Sequence, residues 1–243
     1  MLARKRIILI DAVPWSPDYP DTPLRSVDGW FRRHLGSIAE IELHTLSADG
    51  DLAPATAPGV NGVILSGSPR DAWSNDPVNE KLCAVVRACQ DRWIPFLGVC
   101  YGHQILGRAL DARVARHPEG WELGSTSVEL TAAGQVSPLF DGLPSRFSVL
   151  SSHLDSVQTI PKGCDLLARG AFTPIQSFHW QHRLFGVQFH PEMNPDIVRF
   201  LWAPRRERWR GHTSFDLDRT LDEMPSAPLA PRILKNFAHH LLA

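Results

Sequence analysis

The chain has 243 residues, 43% of them hydrophobic and 21% charged, an ordinary globular balance with enough apolar material for a sizeable core. Its formal net charge is −1, which excludes any bulk attraction to nucleic acid or to an anionic membrane surface. No apolar stretch approaches the ~20 residues of a membrane-spanning helix. The cysteines, Cys83, Cys89, Cys100 and Cys164, form neither a CxxC pair nor a zinc-spaced cluster with histidine, so they read as reduced thiols of a cytoplasmic protein, with no metal or organic cofactor implied.

The chain opens with basic residues before an apolar run, superficially like a signal peptide. Asp11 breaks that run after about five residues, too early for a secretory leader. Arg6 to Ala12 therefore reads as a strand buried on both faces. A proline-rich loop, Pro14 to Pro23, leads to an amphipathic helix around Val27–Leu35, and Ile38–His44 alternates as a second strand. Gly62–Leu65 is a third strand, broken by Ser66-Gly67-Ser68-Pro69. Pro77–Asp91 carries Leu82, Val85, Val86 and Cys89 on one helical stripe, and Ile94–Val99 is a fourth strand entering Cys100. Strands alternating with helices predict a mostly parallel sheet covered on both faces, an α/β fold.

Past Gly107 the segments shorten. Arg113–Ala115, Thr126–Leu130, Phe147–Leu150, Asp165–Arg169 and Ile175–Trp180 are punctuated by turn residues, as in antiparallel strands. Leu184–Phe189 is another apolar strand, running into His190-Pro191-Glu192, and a helix over Ile233–Leu242 closes the chain. The polar, proline-bearing stretch 203–230 is expected to be an exposed helical excursion or a lid. One domain spanning 1–243 is expected, since no linker, repeat or low-complexity tract interrupts it.

Gly98-Val99-Cys100-Tyr101-Gly102 suits a nucleophile elbow, in which a sharp strand-to-helix turn thrusts one side chain into a cleft. Glycine two positions to either side relieves the crowded backbone. The helix start after Cys100 favours thiolate, the attacking species. A cysteine nucleophile needs a base and a group that orients it. His190 is delivered by an apolar strand to another strand end, and Glu192 lies two positions on, able to curl back onto the imidazole. An ordinary strand-terminating turn is the plain alternative, but it leaves the matching strand-end cysteine unexplained.

GVCYGHQIL (Gly98–Leu106) together with GVQFHPE (Gly186–Glu192) resembles the class I glutamine amidotransferases, and the first motif is similar above all to the amidotransferase domains of GMP synthases. The resemblance runs from about Ile7 to Met193. It implies a flavodoxin-like three-layer fold with a small antiparallel strand layer added. It also implies Cys100 as nucleophile, His190 as base and then acid, and Glu192 as its orienter, cleaving the amide of glutamine through a γ-glutamyl thioester. The oxyanion hole would use the Tyr101 amide and the Gly67-Ser68 turn, commonly worth ~2.7–4 kcal/mol per donor. Gln104 and the segment Ser152-His153-Leu154-Asp155 would hold the γ-glutamyl portion, although without the resemblance Gln104 reads as a helix-surface residue and Ser152 and Asp155 as turn formers.

Two positions depart from the pattern. Ser68 stands where the turn usually has a second glycine, and Leu154 replaces a glycine of the substrate-reading segment, so both add a side chain beside the pocket. Gly-Ser-x-x-Asp-Ala and Ser-His-x-Asp are also similar to stand-alone γ-glutamyl peptidases. No Walker A motif is present to supply a synthetase. The resemblance therefore implies either a small-molecule glutamine substrate with a separate synthetase partner receiving ammonia, or a stand-alone hydrolase of γ-glutamyl conjugates. The tryptophan- and arginine-rich region Trp202–Trp209, with Arg205, Arg206, Arg208 and Arg210, is a docking candidate or a solvated basic face. A non-catalytic binding module on the same fold is the remaining class, and the presence of all three of Cys100, His190 and Glu192 speaks against it.

Overall fold

A computed structural model describes residues 4–242; the first three residues and Ala243 of the expected single unit lie outside it. In chain order the elements are β1 (Lys5–Asp11), α1 (Val27–Leu35), β2 (Ile41–Ser47), β3 (Val60–Leu65), α2 (Pro77–Asp91), β4 (Phe96–Val99) and α3 (Tyr101–Ala109). There follow β5 (Val114–Arg116), β6 (Glu122–Leu130), α4 (Ala132–Gln135), β7 (Arg146–His153), β8 (Asp155–Val157), β9 (Cys164–Gly170), β10 (Ser177–Trp180) and β11 (Leu184–Val187). The chain ends in α5 (Pro195–Trp202), α6 (Arg206–Trp209), α7 (Leu217–Asp222) and α8 (Arg232–Leu242).

One sheet of nine strands, in the order β2-β1-β3-β4-β11-β10-β9-β6-β7, runs through the molecule. The first five of these pair in parallel, and β10, β9, β6 and β7 extend the same sheet with antiparallel pairings. β5 and β8 form a separate two-stranded ribbon.

Pleat alternation divides the core in two. Ile7 and Leu9 of β1, Ile64 of β3 and Leu97 and Val99 of β4 face a cluster completed by Trp30 and Phe31 of α1, Ile197 of α5 and Ile233 and Phe237 of α8. Ile8, Ile10, Val63, Leu65 and Phe96 face the other side, against Leu82 and Val86 of α2 and Ile105 of α3. Each fully buried side chain of this size contributes about 1.5–3 kcal/mol. Among the described residues no helix is long and apolar enough to cross a membrane.

The second strand is displaced from the expected Ile38–His44. Ile38 lies in a turn, donating to the Leu35 carbonyl and accepting from the Ile41 amide, each at 3.0 Å. The strand runs Ile41–Ser47 on the sheet edge, where Glu42, His44 and Thr45 meet water.

Candidate active site

The site gathers at the carboxyl ends of β3, β4 and β11, where open α/β sheets hold their ligands. Cys100 follows β4 with φ +51° and ψ −102°, a conformation sparsely populated for a non-glycine residue and costing of order 1–3 kcal/mol. Its amide donates to the Val187 carbonyl of β11 at 2.8 Å, locking the turn to the sheet. The flanking glycines are required by contact. A Cβ on Gly98 would lie 2.3 Å from the Gly102 carbonyl oxygen, and one on Gly102 would lie 2.3 Å from that of Leu65. The other cysteines contrast with Cys100 in role: burial pushes the thiols up to about 11 at Cys83 and about 12 at Cys89 and Cys164, which suppresses their thiolates.

His190 is buried beside Cys100, and its Nδ1 lies 2.7 Å from Glu192 Oε1. Burial disfavours the imidazolium, but the Glu192 carboxylate and the Cys100 sulfur outweigh it and raise the pKa to about 10. Glu192 Oε2 is buried with no partner among the described residues, so the carboxylate has the imidazole as its compensation. With Nδ1 committed to Glu192, Nε2 is the nitrogen left to serve Cys100.

The amides expected to face the oxyanion, those of Tyr101, Gly67 and Ser68, are free. Tyr101 opens α3, where the first amides have no intrahelical acceptor, and neither the Gly67 nor the Ser68 amide donates to any acceptor among the described residues. The Tyr101 side chain turns away, its hydroxyl donating to Asn79 Oδ1 at 2.6 Å inside the core. The Ser68 hydroxyl is also occupied, donating to the Ala12 carbonyl at 2.7 Å and accepting from the Arg70 amide.

Gln104 is buried rather than on a helix surface, and its Nε2 donates to the Asp155 carbonyl at 2.7 Å. Ser152 Oγ accepts from Trp202 Nε1 at 2.9 Å. Both His153 nitrogens are engaged inside the chain, Nδ1 with the Asp155 carbonyl at 3.0 Å and Nε2 with Glu122 Oε2 at 2.8 Å. Its ring thus shapes the 152–155 bend. The Leu154 carbonyl accepts from the His117 amide at 2.8 Å. Asp155 is buried and its Oδ1 has no partner among the described residues. Burial, reinforced by the Asp71 charge, raises its carboxyl to about 6, although Trp73, Arg116 and His153 pull the other way.

Cys100, His190, Gln104, the Gly67-Ser68 turn and Ser152 to Asp155 all line one cavity of about 330 Å³. Residues outside the motifs complete it. Tyr19 comes from the proline-rich loop, Trp121 from the approach to β6, Leu201 from α5, and Arg205, Arg208 and Trp209 from the excursion after it. Trp121 stacks edge-on with Trp202 and Trp209 at 4.9 and 5.4 Å between ring centres. Glu122 and Trp202 hold His153 and Ser152, ties that the sequence could not show because the partners lie 31 and 50 residues away. Among the described residues no group of three His, Cys, Asp or Glu side chains converges as a metal site would require.

Together these observations define a flavodoxin-like α/β protein with a cysteine, a histidine and a glutamate gathered at its strand ends. The family model described as glutamine amidotransferase class-I matches residues 27–197. The chain is 40% identical over 162 residues to the GMP synthase [glutamine-hydrolyzing] of Aeropyrum pernix, covering 66% of this chain and 29% of that protein. It is 31% identical over 140 residues to gamma-glutamyl peptidase 5 of Arabidopsis thaliana, covering 57% and 56% of the two. The chain thus spans under a third of the first relative and about half of the second. In structure it is similar to a glutamine amidotransferase from Thermotoga maritima, with a TM-score of 0.71, 20% identity and coverage of 98% and 96%. The chain belongs to the class I glutamine amidotransferase family.

Proposed function

We propose that this chain hydrolyses a γ-glutamyl amide through a thioester on Cys100. The observation that carries the reading is the buried Cys100–His190–Glu192 arrangement beside three unoccupied backbone amides. The Cys100 thiolate attacks the γ-carbonyl, and the developing oxyanion is held by the amides of Tyr101 and the Gly67-Ser68 turn. The His190 imidazolium passes its proton to the departing nitrogen as the C–N bond breaks, leaving a γ-glutamyl thioester and the free amine. Water, deprotonated by His190, then attacks the thioester; Cys100 departs as thiolate and glutamate is released. Glu192 holds the imidazole through Nδ1 throughout. Gln104 and the Ser152–Asp155 bend grip the γ-glutamyl portion, with Asp155 facing its ammonium group and His153 positioning the bend.

Glutamine is the first substrate under this reading, its ammonia passing to a synthetase on a separate chain or segment. The resemblance to GMP synthases favours it. A second reading, hydrolysis of γ-glutamyl conjugates, is favoured by the extra cavity wall that the excursion supplies. Glutamate release from L-glutamine and from γ-glutamyl dipeptides tests both readings. Cys100→Ala is expected to abolish release from either while the unfolding transition stays cooperative; turnover surviving in that variant would falsify the thioester route.

A further inference from the structure

From α5 through α7 the chain carries six arginines, Arg199 in α5, Arg205, Arg206, Arg208 and Arg210 in the excursion between, and Arg219 in α7. Four are matched to carboxylates: Arg199 to Asp196 at 2.9 Å, Arg206 to Asp218 and Asp222, Arg210 to Glu207 and Asp218, and Arg219 to Glu223. Arg205 and Arg208 have no carboxylate partner among the described residues, and they are the two that line the cavity over Cys100. A segment that neutralises every guanidinium except those facing its own cavity leaves that wall positive. Arg205 is half-buried and held in place: its Nη2 donates to the neutral Tyr19 hydroxyl at 2.8 Å and its guanidinium lies 5.5 Å from the Trp202 ring centre. Arg208 stands over Trp209 at 5.8 Å. Apolar Leu201 and the Trp121–Trp209 pair line the same wall. A guanidinium held over an indole face with donors unspent is built to take a carboxylate.

We propose that Arg205 and Arg208 form a subsite for a carboxylate on the leaving amine, so that the chain acts on γ-glutamyl amides of amino acids in preference to glutamine. This rests on the γ-glutamyl cleavage proposed above, takes its second reading over the first, and specifies the substrate. Glutamine releases ammonia, which presents nothing to a guanidinium or to an aromatic wall. An amino acid in its place offers a carboxylate to the arginines and an apolar side chain to Trp121 and Trp209. The bond broken is the same γ-C–N bond. The departing amine takes the His190 proton, and water is the other reactant.

The test is glutamate release by the full chain from γ-glutamylphenylalanine, from its carboxamide γ-glutamylphenylalaninamide and from glutamine. The wild type is expected to favour the carboxylate over the carboxamide by at least about tenfold in kcat/KM, the size of one charge-assisted hydrogen bond, with most of the difference in KM. Arg205→Gln with Arg208→Gln is expected to bring that ratio toward one, Arg208→Lys to retain part of it, and Arg219→Gln, on the paired surface, to leave it in place. Equal wild-type rates on carboxylate and carboxamide, or a ratio unmoved in the double variant, overturn the subsite. If the arginine changes weaken all three substrates alike, the guanidiniums read the α-carboxylate of the γ-glutamyl half and the proposal fails. If they alter no small-molecule rate but abolish stimulation by an added synthetase, the wall is a protein contact and it fails equally. Were the wild type to release glutamate from none of the three, the cleavage reading itself would fall.

Discussion

Gly67 leaves no room for a side chain against His190. A Cβ there would lie 2.7 Å from His190 Cε1 and 3.6 Å from Cys100 Cβ, against an imidazole that is buried and tied to Glu192. Gly67→Ala is therefore expected to displace the imidazole and lower kcat by about 100-fold, the usual consequence of roughly 1 Å of misplacement. The cost in stability should stay within about 1–3 kcal/mol. Parallel kcat and thermal-unfolding measurements check this, and a kcat near wild type would mean that the imidazole is not held where its bond to Glu192 puts it. Asp155 sets a second expectation. To face an ammonium group it must be ionised, yet burial and the Asp71 charge raise its carboxyl to about 6. KM for a γ-glutamyl substrate should rise as pH falls through about 6, and Asp155→Asn should remove that limb along with most of the affinity. The stability of the ligand-free protein moves oppositely. With the folded pKa above the ordinary 3.8, the contribution of this group is present below that value and lost as pH rises through about 6. A KM that stays flat across that interval would show that Asp155 does not meet the ammonium.

Among the elements, those whose ends carry local chemistry were legible. Helix α1 begins at the Ser26 cap, whose hydroxyl accepts from the Gly29 amide at 2.9 Å, and α2 begins with Asp76 capping ahead of Pro77. Both match the expected Val27–Leu35 and Pro77–Asp91. The elbow and the His-Pro-Glu turn were legible because each packs a strand end, a special residue and its neighbours into a few positions. Strand β2 slipped because Ile38 is apolar yet serves a turn, while an edge strand keeps polar residues on its open side. Nothing local marks β8, three residues held by pairing with β5 from across the chain. Asn79 shows the same distance between cause and signal. It sits on α2, accepts from Tyr101 Oη at 2.6 Å, and donates through Nδ2 to the Asp71 and Ser74 carbonyls, each at 3.0 Å. It thereby joins α2, the start of α3 and the 71–74 loop behind the elbow. Asn79→Leu should destabilise the fold by at least about 1–3 kcal/mol, the cost of one buried polar group left unsatisfied. Urea unfolding reads this directly, and an unchanged midpoint would mean that water replaces the lost bonds.

At the scale of the molecule, the parallel half of the sheet and its two helical layers form the part that folding stabilises, whereas the excursion is held differently. Between Ala203 and Asp222 the chain buries little beyond Leu217 and Leu221, and Arg206 spans it, bonding Asp218 and Asp222 at once. That arginine was foreseen as part of a docking patch or a basic face; in the structure it ties α6 to α7, alongside Arg210, which also bonds Asp218. Exposed ion pairs contribute little to global stability, so Arg206→Ala should leave the thermal midpoint of the whole chain nearly unchanged. Its effect should be local. Without Arg206, Asp222 has lost its guanidinium partner and Asp218 keeps only Arg210, so the excursion opens more readily from the cavity it walls. Limited trypsin digestion should then cut between Arg205 and Arg219 faster than in the wild type, while the core fragments resist. Trp202→Ala supplies the contrast, because Trp202 is fully buried and bonded to Ser152, and its loss should lower the midpoint by removing about 3–5 kcal/mol. If Arg206→Ala lowers the midpoint as far as Trp202→Ala does, the excursion unfolds with the core and is no separable wall. If it speeds cleavage and leaves the midpoint alone, the wall over Cys100 opens independently of the fold, which would let a substrate too large for the closed cavity enter and leave.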